Sequence, residues 1–270
     1  MGVTQLRDVY YIVCCAGSAI LRFSATTRQR LPDIKVNRMY DAFGIAACEQ
    51  TSRVYVSANV DSLKWILRVS TDGTDIQHWL PKSPSKTFKA VSLSVTSARL
   101  LVTSSTLELI QFDSYGEELR RIQLPCDMEP WHAVESPTGT FIVRLLRCIG
   151  FDLRTKRIVF AEDEHRKRHL VVEVNSAGEV LRQFNPSHRP RYGYHLSFEV
   201  AVDSRGNIFV GDAENNRILL LDAQLSLRRV IADEHHLNYR GPANLCYREQ
   251  SGQLLMTSLH DVLVLDVLRR

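Results

Sequence analysis

No segment of this chain runs apolar for the roughly 20 residues that a membrane-spanning helix requires. The longest apolar stretch near the N-terminus, Val9 to Cys15, is too short and too polar-flanked for a secretory leader. Leu6 stands where a myristoylation signal following Gly2 would need Ser or Thr. The six cysteines, Cys14, Cys15, Cys48, Cys126, Cys148 and Cys246, show neither C-x-x-C spacing nor a regular framework, so they read as mostly reduced core thiols. No segment sustains the helical period that a βαβ fold would need. A G-x-S-x-G elbow, a P-loop and an H-E-x-x-H pair are all missing. The net charge of +4 is a mild basic excess, too small to imply a nucleic-acid partner. These absences set the expectation of a cytoplasmic protein that neither spans nor attaches to a membrane.

What the chain does contain is a repeat. Six short apolar runs recur: Tyr11-Ile12-Val13, Val54-Tyr55-Val56, Leu100-Leu101-Val102, Phe141-Ile142-Val143, Ile208-Phe209-Val210 and Leu254-Leu255-Met256. Their middle residues are 43, 46, 41, 67 and 46 residues apart. Several short strands per unit at a spacing of about 40–50 residues is the signature of propeller blades. The one long step marks an insertion within a blade, not an omitted blade.

Each unit repeats an internal grammar. A first strand meets a tight turn before the apolar run, as in Ala201 to Val210 around Gly206 and Val134 to Val143 around Gly139. A third strand follows, as in Trp65 to Val69 or Ile218 to Leu221, and leads to a turn rich in Ser, Asp and Gly (Asp113-Ser114-Tyr115-Gly116, Asn175-Ser176-Ala177-Gly178). The fourth strand is expected to stop at a proline, as at Leu31-Pro32, Leu80-Pro81, Leu124-Pro125 and Asn185-Pro186, since an outer strand's end needs no ladder donor there. The expected fold is all-β: a six-bladed β-propeller of four-stranded antiparallel blades, one domain over residues 1–270, with an insertion at about 144–169.

The stretch from Val200 to Asp222 resembles an NHL repeat. It carries a hydrophobic residue, Asp203, Gly206-Asn207, a second hydrophobic run, Asp212, and then Asn215-Asn216-Arg217-Ile218. The resemblance covers nearly the whole chain in periodicity and about 25 residues in motif. The other blades are degenerate, and the unit at 44–80 lacks both the Gly-Asn and the Asn-x-Arg signatures.

The last unit holds three strands, Asn244–Tyr247, Gln253–Thr257 and Val262–Val267. Propellers commonly close by taking the outer strand from the opposite terminus. The expectation is a monomeric propeller within a longer chain that supplies this strand; imperfect closure is the alternative. The insertion carries Arg144, Arg147, Arg154, Lys156, Arg157, Arg166, Lys167 and Arg168. It reads either as a basic arm for RNA or an acidic partner, or as a solvated loop with a short hairpin at Gly150–Asp152 and Arg157–Phe160, the latter being favoured.

Sites for chemistry are sparse. Asp212, Glu214 and Asn215 offer oxygen ligands for a hard cation, yet Asp and Asn there also serve the turn's own backbone. His165 and His169 lie four apart, a ligand spacing only on a helix, and His235-His236 has no third ligand nearby. No cofactor and no catalytic residue are expected. Attention moves to the loops that join fourth to first and second to third strands, which gather on one face of a propeller. They carry Tyr40, Phe43, Lys89, Trp131, His132, Arg191, Tyr192, Tyr194, His195, Tyr239 and Arg240. Aromatic and Arg side chains anchor protein interfaces, and the same pairing suits single-stranded RNA.

The leading reading is a non-catalytic scaffold that recognises a protein or peptide with this face. The NHL resemblance implies a role as the substrate-recognition end of a tripartite-motif-like ubiquitin ligase, although the chain has none of the zinc spacing of that family's RING and B-box. A second reading, single-stranded RNA binding, is also implied by the resemblance. A third is a metal-dependent lactonase or lyase. Gluconolactonase-like propellers hold a metal through Glu, Asn and Asp of inner strands, but Gly2 to Leu6 has no carboxylate.

Overall fold

The computed structural model describes residues 2–14, 17–37, 39–60, 63–79, 90–147, 151–152, 157–158, 168–185, 199–237, 241–258 and 261–267. Blade 1 comprises β1 (Gly2–Leu6), β2 (Val9–Val13), β3 (Ala19–Ser24) and β4 (Arg30–Lys35). Blade 2 comprises β5 (Met39–Cys48), β6 (Arg53–Val60), β7 (Leu63–Ser70) and β8 (Ile76–Trp79). Blade 3 comprises β9 (Ala90–Thr96), β10 (Arg99–Ser104), β11 (Glu108–Phe112) and β12 (Glu118–Gln123). Blade 4 comprises β13 (Met128–Glu135), β14 (Phe141–Arg147), β17 (Arg168–Val174) and β18 (Val180–Phe184), with β15 (Phe151–Asp152) and β16 (Arg157–Ile158) inserted. Blade 5 comprises β19 (Glu199–Val202), β20 (Ile208–Asp212), β21 (Arg217–Leu221) and β22 (Leu227–Ala232). Among the described residues blade 6 has three strands: β23 (Asn244–Arg248), β24 (Gln253–Thr257) and β25 (Val262–Asp266). All blades are antiparallel meanders, and their first strands neighbour one another in ring order, with β23 returning to β1. The chain is a six-bladed β-propeller.

The inner runs are apolar on both faces because blades stack on both sides of them. Tyr11, Val13, Val54, Val56, Val102, Phe141, Val143, Val210 and Leu255 are all buried, as expected where a strand has no wet face. Successive blades share separate apolar cores. Ile142, Val171, Val200 and Leu219 join blades 4 and 5, while Phe209, Ile218, Leu254 and Met256 join blades 5 and 6. Among the described residues the blade 6–1 seam is the thinnest: Val3, Tyr10, Ile12 and Leu255 are buried there, and Leu21, Phe23, Val262 and Val264 stay partly exposed. A side chain helps to close it, with Asn244 Oδ1 accepting from the Val3 N–H at 3.1 Å.

The turns explain why the strands stop where they do. At Asp203 the carboxylate accepts from the Arg205 N–H (3.0 Å), the Asn207 N–H (2.7 Å) and Asn207 Nδ2 (2.7 Å). Gly206, at φ +82°, closes the turn by donating its N–H to the Asp203 carbonyl. Asp113, Asn175 and Asp222 repeat the device, each accepting from the amides two and four residues on. A short polar side chain thus takes over backbone donors that a strand would otherwise satisfy.

In the corresponding turn of blade 2, Ser70 takes the first position and Asp72 the third. Asp72 accepts from Ser70 Oγ (2.6 Å), the Thr74 N–H (3.1 Å) and Thr74 Oγ1 (2.9 Å), and these bonds hold its carboxyl down at about 2. Asp8, Asp222 and Asp233 shift the same way, chiefly through Thr26, the Ser226 amide and His236 respectively. A carboxylate depressed by folding favours the fold above its unfolded value and loses that contribution as pH falls through the folded one. Urea midpoints should therefore fall between about pH 4 and about pH 2, and Asp72→Asn should make that decline shallower. An identical acid limb in the variant would assign the decline to other groups.

Two expectations need correction. Pro32 does not end its strand: it lies within β4, at the register shift between Ile20 and Arg22, where an outer strand tolerates a missing donor. The 144–169 insertion is narrower than expected. β14 and β17 pair without interruption from Phe141↔Val174 to Arg147↔Arg168, so Arg144, Arg147, Arg168 and His169 belong to the blade, and the insertion spans 148–167. Within it, Phe151↔Ile158 and Asp152↔Arg157 form the expected small hairpin.

Candidate functional site

Chain direction places the starts of first and third strands, and the ends of second and fourth strands, on one face. On that face, between blades 4 and 5, the fold assembles a buried charged cluster. His132 sits on β13 opposite Arg144 on β14, just beyond a bulge at Pro130. Ser92 Oγ of blade 3 lies 2.5 Å from His132 Nδ1, and Glu199 Oε2 of blade 5 lies 3.5 Å from the same nitrogen. Arg144 Nη1 stands 3.8 Å from Glu199 Oε1, and its guanidinium lies 5.2 Å from the centre of the Trp131 ring, within the range of a cation–π contact. His169 Nε2 is 3.7 Å from Glu214 Oε1.

Arg144 is the costly member. It shares a strand face with Ile142, part of the blade 4–5 core, and is only 2% exposed. Burial pulls its guanidinium down to about 10, and the carboxylates of Glu199 and Glu214 partly offset this. Burying a charge disfavours folding unless pairing compensates, and the 3.8 Å pair of Arg144 with Glu199 is longer than a close charge-assisted bond.

The Ser92–His132–Glu199 grouping is not a nucleophile relay. Such a relay uses both ring nitrogens, one to accept the hydroxyl proton and one to donate to the carboxylate, whereas Ser92 and Glu199 converge on the same Nδ1. The arrangement instead ties three blades together beside the central channel. His132 lines a channel cavity of about 230 Å³ with Val3, Leu93, Val200 and Asn244. Among the described residues, no group of three His, Cys, Asp or Glu side chains is placed to hold a metal. Asp212, fully buried, accepts from Asn215 Nδ2 (3.0 and 2.9 Å) and Arg217 Nε (2.8 Å). Those side chains, with the Asn215 N–H that Asp212 Oδ1 also accepts, stabilise the turn after β20.

Of the sequence-selected face, Tyr40 (40% exposed) and Trp131 (39% exposed) lie on the surface. His132 is on the same face but buried within the cluster. Phe43 falls within β5, and its side chain is not described. Lys89, Arg191, Tyr192, Tyr194, His195, Tyr239 and Arg240 lie outside the described residues. Sequence reasoning missed Ser92, Glu199 and the burial of Arg144. The available clue was Arg144 following Phe141-Ile142-Val143 without a turn residue. Of the cysteines described, Cys48 is buried and Cys126 exposed, and burial pushes the Cys246 thiol up.

No protein family matches the chain by sequence, and no curated protein matches it either. Solved structures do. A chain of hydrazine synthase from Kuenenia stuttgartiensis is similar at TM-score 0.64 and 12% identity, covering 98% of this chain and 94% of that one. The WD40 β-propeller domain of Doa1 is similar at 0.59 and 14%, covering 98% and 90%. Virginiamycin B lyase from Staphylococcus aureus is similar at 0.59 and 12%, covering 97% and 78%. At these identities the likeness is one of fold, and it spans both enzymes and a WD40 domain.

Proposed function

We infer that this chain is an NHL-like recognition propeller that binds a protein or peptide segment on the face carrying the blade 4–5 cluster. The observation that carries this reading is the pairing of half-exposed Trp131 with buried Arg144. A flat aromatic ring held by a guanidinium that the fold buries at a cost is a preorganised anchor, the kind of residue pair that dominates interface energetics. Tyr40, at the start of β5 in blade 2, is a second exposed aromatic on the same face. The reading needs no reaction at the site, and the convergence of Ser92 and Glu199 on one nitrogen supports a positioning role for His132. The NHL-like turn around Asp203 and Asp212 further supports a role as the recognition end of a larger assembly, of the ubiquitin-ligase type or another, in the cytoplasm.

Selection of a displayed random-peptide library on the immobilised protein tests this. Selected peptides should bind the wild-type chain and lose at least about 30-fold in affinity on Trp131→Ala, as expected of an anchor worth about 2 kcal/mol. Peptides unaffected by Trp131→Ala would place recognition elsewhere. If instead single-stranded RNA oligonucleotides bind with a steep salt dependence and need Trp131, the ligand is RNA.

A further inference from the structure

The central channel carries polar groups that recognition at Trp131 does not use. Among the described residues each first strand pairs with a second strand on one side only, so its other edge faces the channel. Antiparallel alternation leaves every second N–H and C=O along that edge without a strand partner. The Val3 N–H is one such group, since it bonds to Asn244 Oδ1 and not to β2. The channel wall therefore offers main-chain donors and acceptors in turn.

Register places four side chains at one level of this wall. Ser94, Val134, Ala201 and Cys246 pair with the middle residues of the apolar runs in blades 3 to 6. Two residues before each of them stand Ser92, His132, Glu199 and Asn244. These four are structurally equivalent, although nothing in their identities marks them as a set.

Two of the four are buried and keep a nitrogen unused. His132, 6% exposed, meets Ser92 and Glu199 through Nδ1, and among the described residues its Nε2 has no partner. Asn244, 9% exposed, accepts the Val3 N–H with Oδ1. That bond fixes which way the amide lies and leaves Nδ2 without an acceptor among the described residues. Both side chains line the cavity of about 230 Å³ to which all six first strands contribute. Two further lining residues, Ser94 and Gln5, have a side-chain oxygen with no partner. Buried polar groups are rarely left so.

The surroundings define what fits. Glu135 faces Arg99 at 2.9 Å and accepts from Gln111 Nε2 at 2.9 Å, while Glu199 faces Arg144. A cation finds no spare carboxylate, and an anion would lie beside Glu199. Asn244 Nδ2 can only donate, whereas His132 Nε2 donates or accepts according to tautomer. Hydroxyl groups satisfy both, since each donates and accepts. Val3, Leu93, Val200 and Leu245 supply apolar walls for the carbons between them. At ~30 Å³ per water the cavity holds seven or eight of them, which is room for one small molecule.

We propose that the central channel binds one small, neutral, polyhydroxylated molecule. One hydroxyl oxygen accepts from Asn244 Nδ2, and another hydroxyl bonds to His132 Nε2. The site does not rest on peptide recognition at Trp131.

The test is a titration of the isotope-labelled protein with xylitol, following the Asn244 side-chain amide and His132 ring resonances by nuclear magnetic resonance. Both should move along one saturating curve. Two variants then separate the ring nitrogens, because an asparagine amide reaches about as far as Nδ1 and a glutamine amide about as far as Nε2. His132→Asn keeps a group for Ser92 and should bind xylitol at least tenfold more weakly, the loss expected of one hydrogen bond in a buried site. His132→Gln gives up the Ser92 contact yet should stay within about threefold of the wild type. A folding defect would weaken His132→Gln at least as much, so it cannot mimic this order. Xylonate, the carboxylate analogue, should bind at least tenfold more weakly than xylitol. Shifts that never saturate, equal losses in the two variants, or tighter binding of xylonate would each overturn the proposal.

Discussion

Gly178→Ala should leave the protein destabilised by more than about 4 kcal/mol, the range reserved for named structural failures. Gly178 closes the turn between β17 and β18 at φ +83°, and an alanine forced into the left-handed region costs about 1–2 kcal/mol before any contact is counted. A Cβ there would also lie 2.1 Å from the backbone oxygen of Gln123 and 3.2 Å from its carbonyl carbon. The obstacle is main chain, not a movable side-chain tip. Gln123 is paired to Glu108 in blade 3, and the next residue, Leu124, donates its N–H to the Leu107 carbonyl, so blade 3 cannot easily yield. Gly139 provides the control. It has nearly the same φ, +81°, but nothing lies within 4 Å of its virtual Cβ, so Gly139→Ala should cost only about 1 kcal/mol. Urea midpoints of the two variants measure the difference. Equal losses would show that the blade 3–4 contact relaxes around an added methyl group.

Arg144→Met should destabilise the fold by about 3 kcal/mol or more, because it leaves the buried carboxylate of Glu214 and the largely covered one of Glu199 beside an apolar side chain. Adding Glu199→Gln should recover much of that loss, so that the double variant costs at least about 1 kcal/mol less than the two single changes added together. The geometry explains the coupling: Glu199 lies between His132 and Arg144, and each of its oxygens answers to one of them. If the two losses simply add, the 3.8 Å pair carries no interaction and Glu199 does not hold Arg144. A folded double variant would also separate stability from recognition, since it retains Trp131 but not the guanidinium beneath it. Peptides selected on the wild-type chain should then bind it poorly.

The number of blades and most of their strands were legible in the sequence. An apolar inner run recurs because every inner strand is covered on both faces, and the turns recur because Asp203, Asp113 and Asn175 each satisfy nearby amides. Both signals depend on residues within a few positions of one another. The candidate site was only half legible. Trp131 and His132 stood out as an aromatic beside a base, but Arg144 read as the start of a basic loop because charge usually marks solvent.

The sequence by itself determined the propeller, its turn chemistry and its three-stranded last blade, all consequences of local pattern and period. Tertiary structure alone decided that Ser92, His132, Arg144 and Glu199 meet, and that Val262 overlooks a seam left thin. Those outcomes depend on the register of three successive blades and on the closing of the ring. A bulge at Pro130 sets which side chain lies opposite Arg144, and no local run of residues encodes which blade will face it.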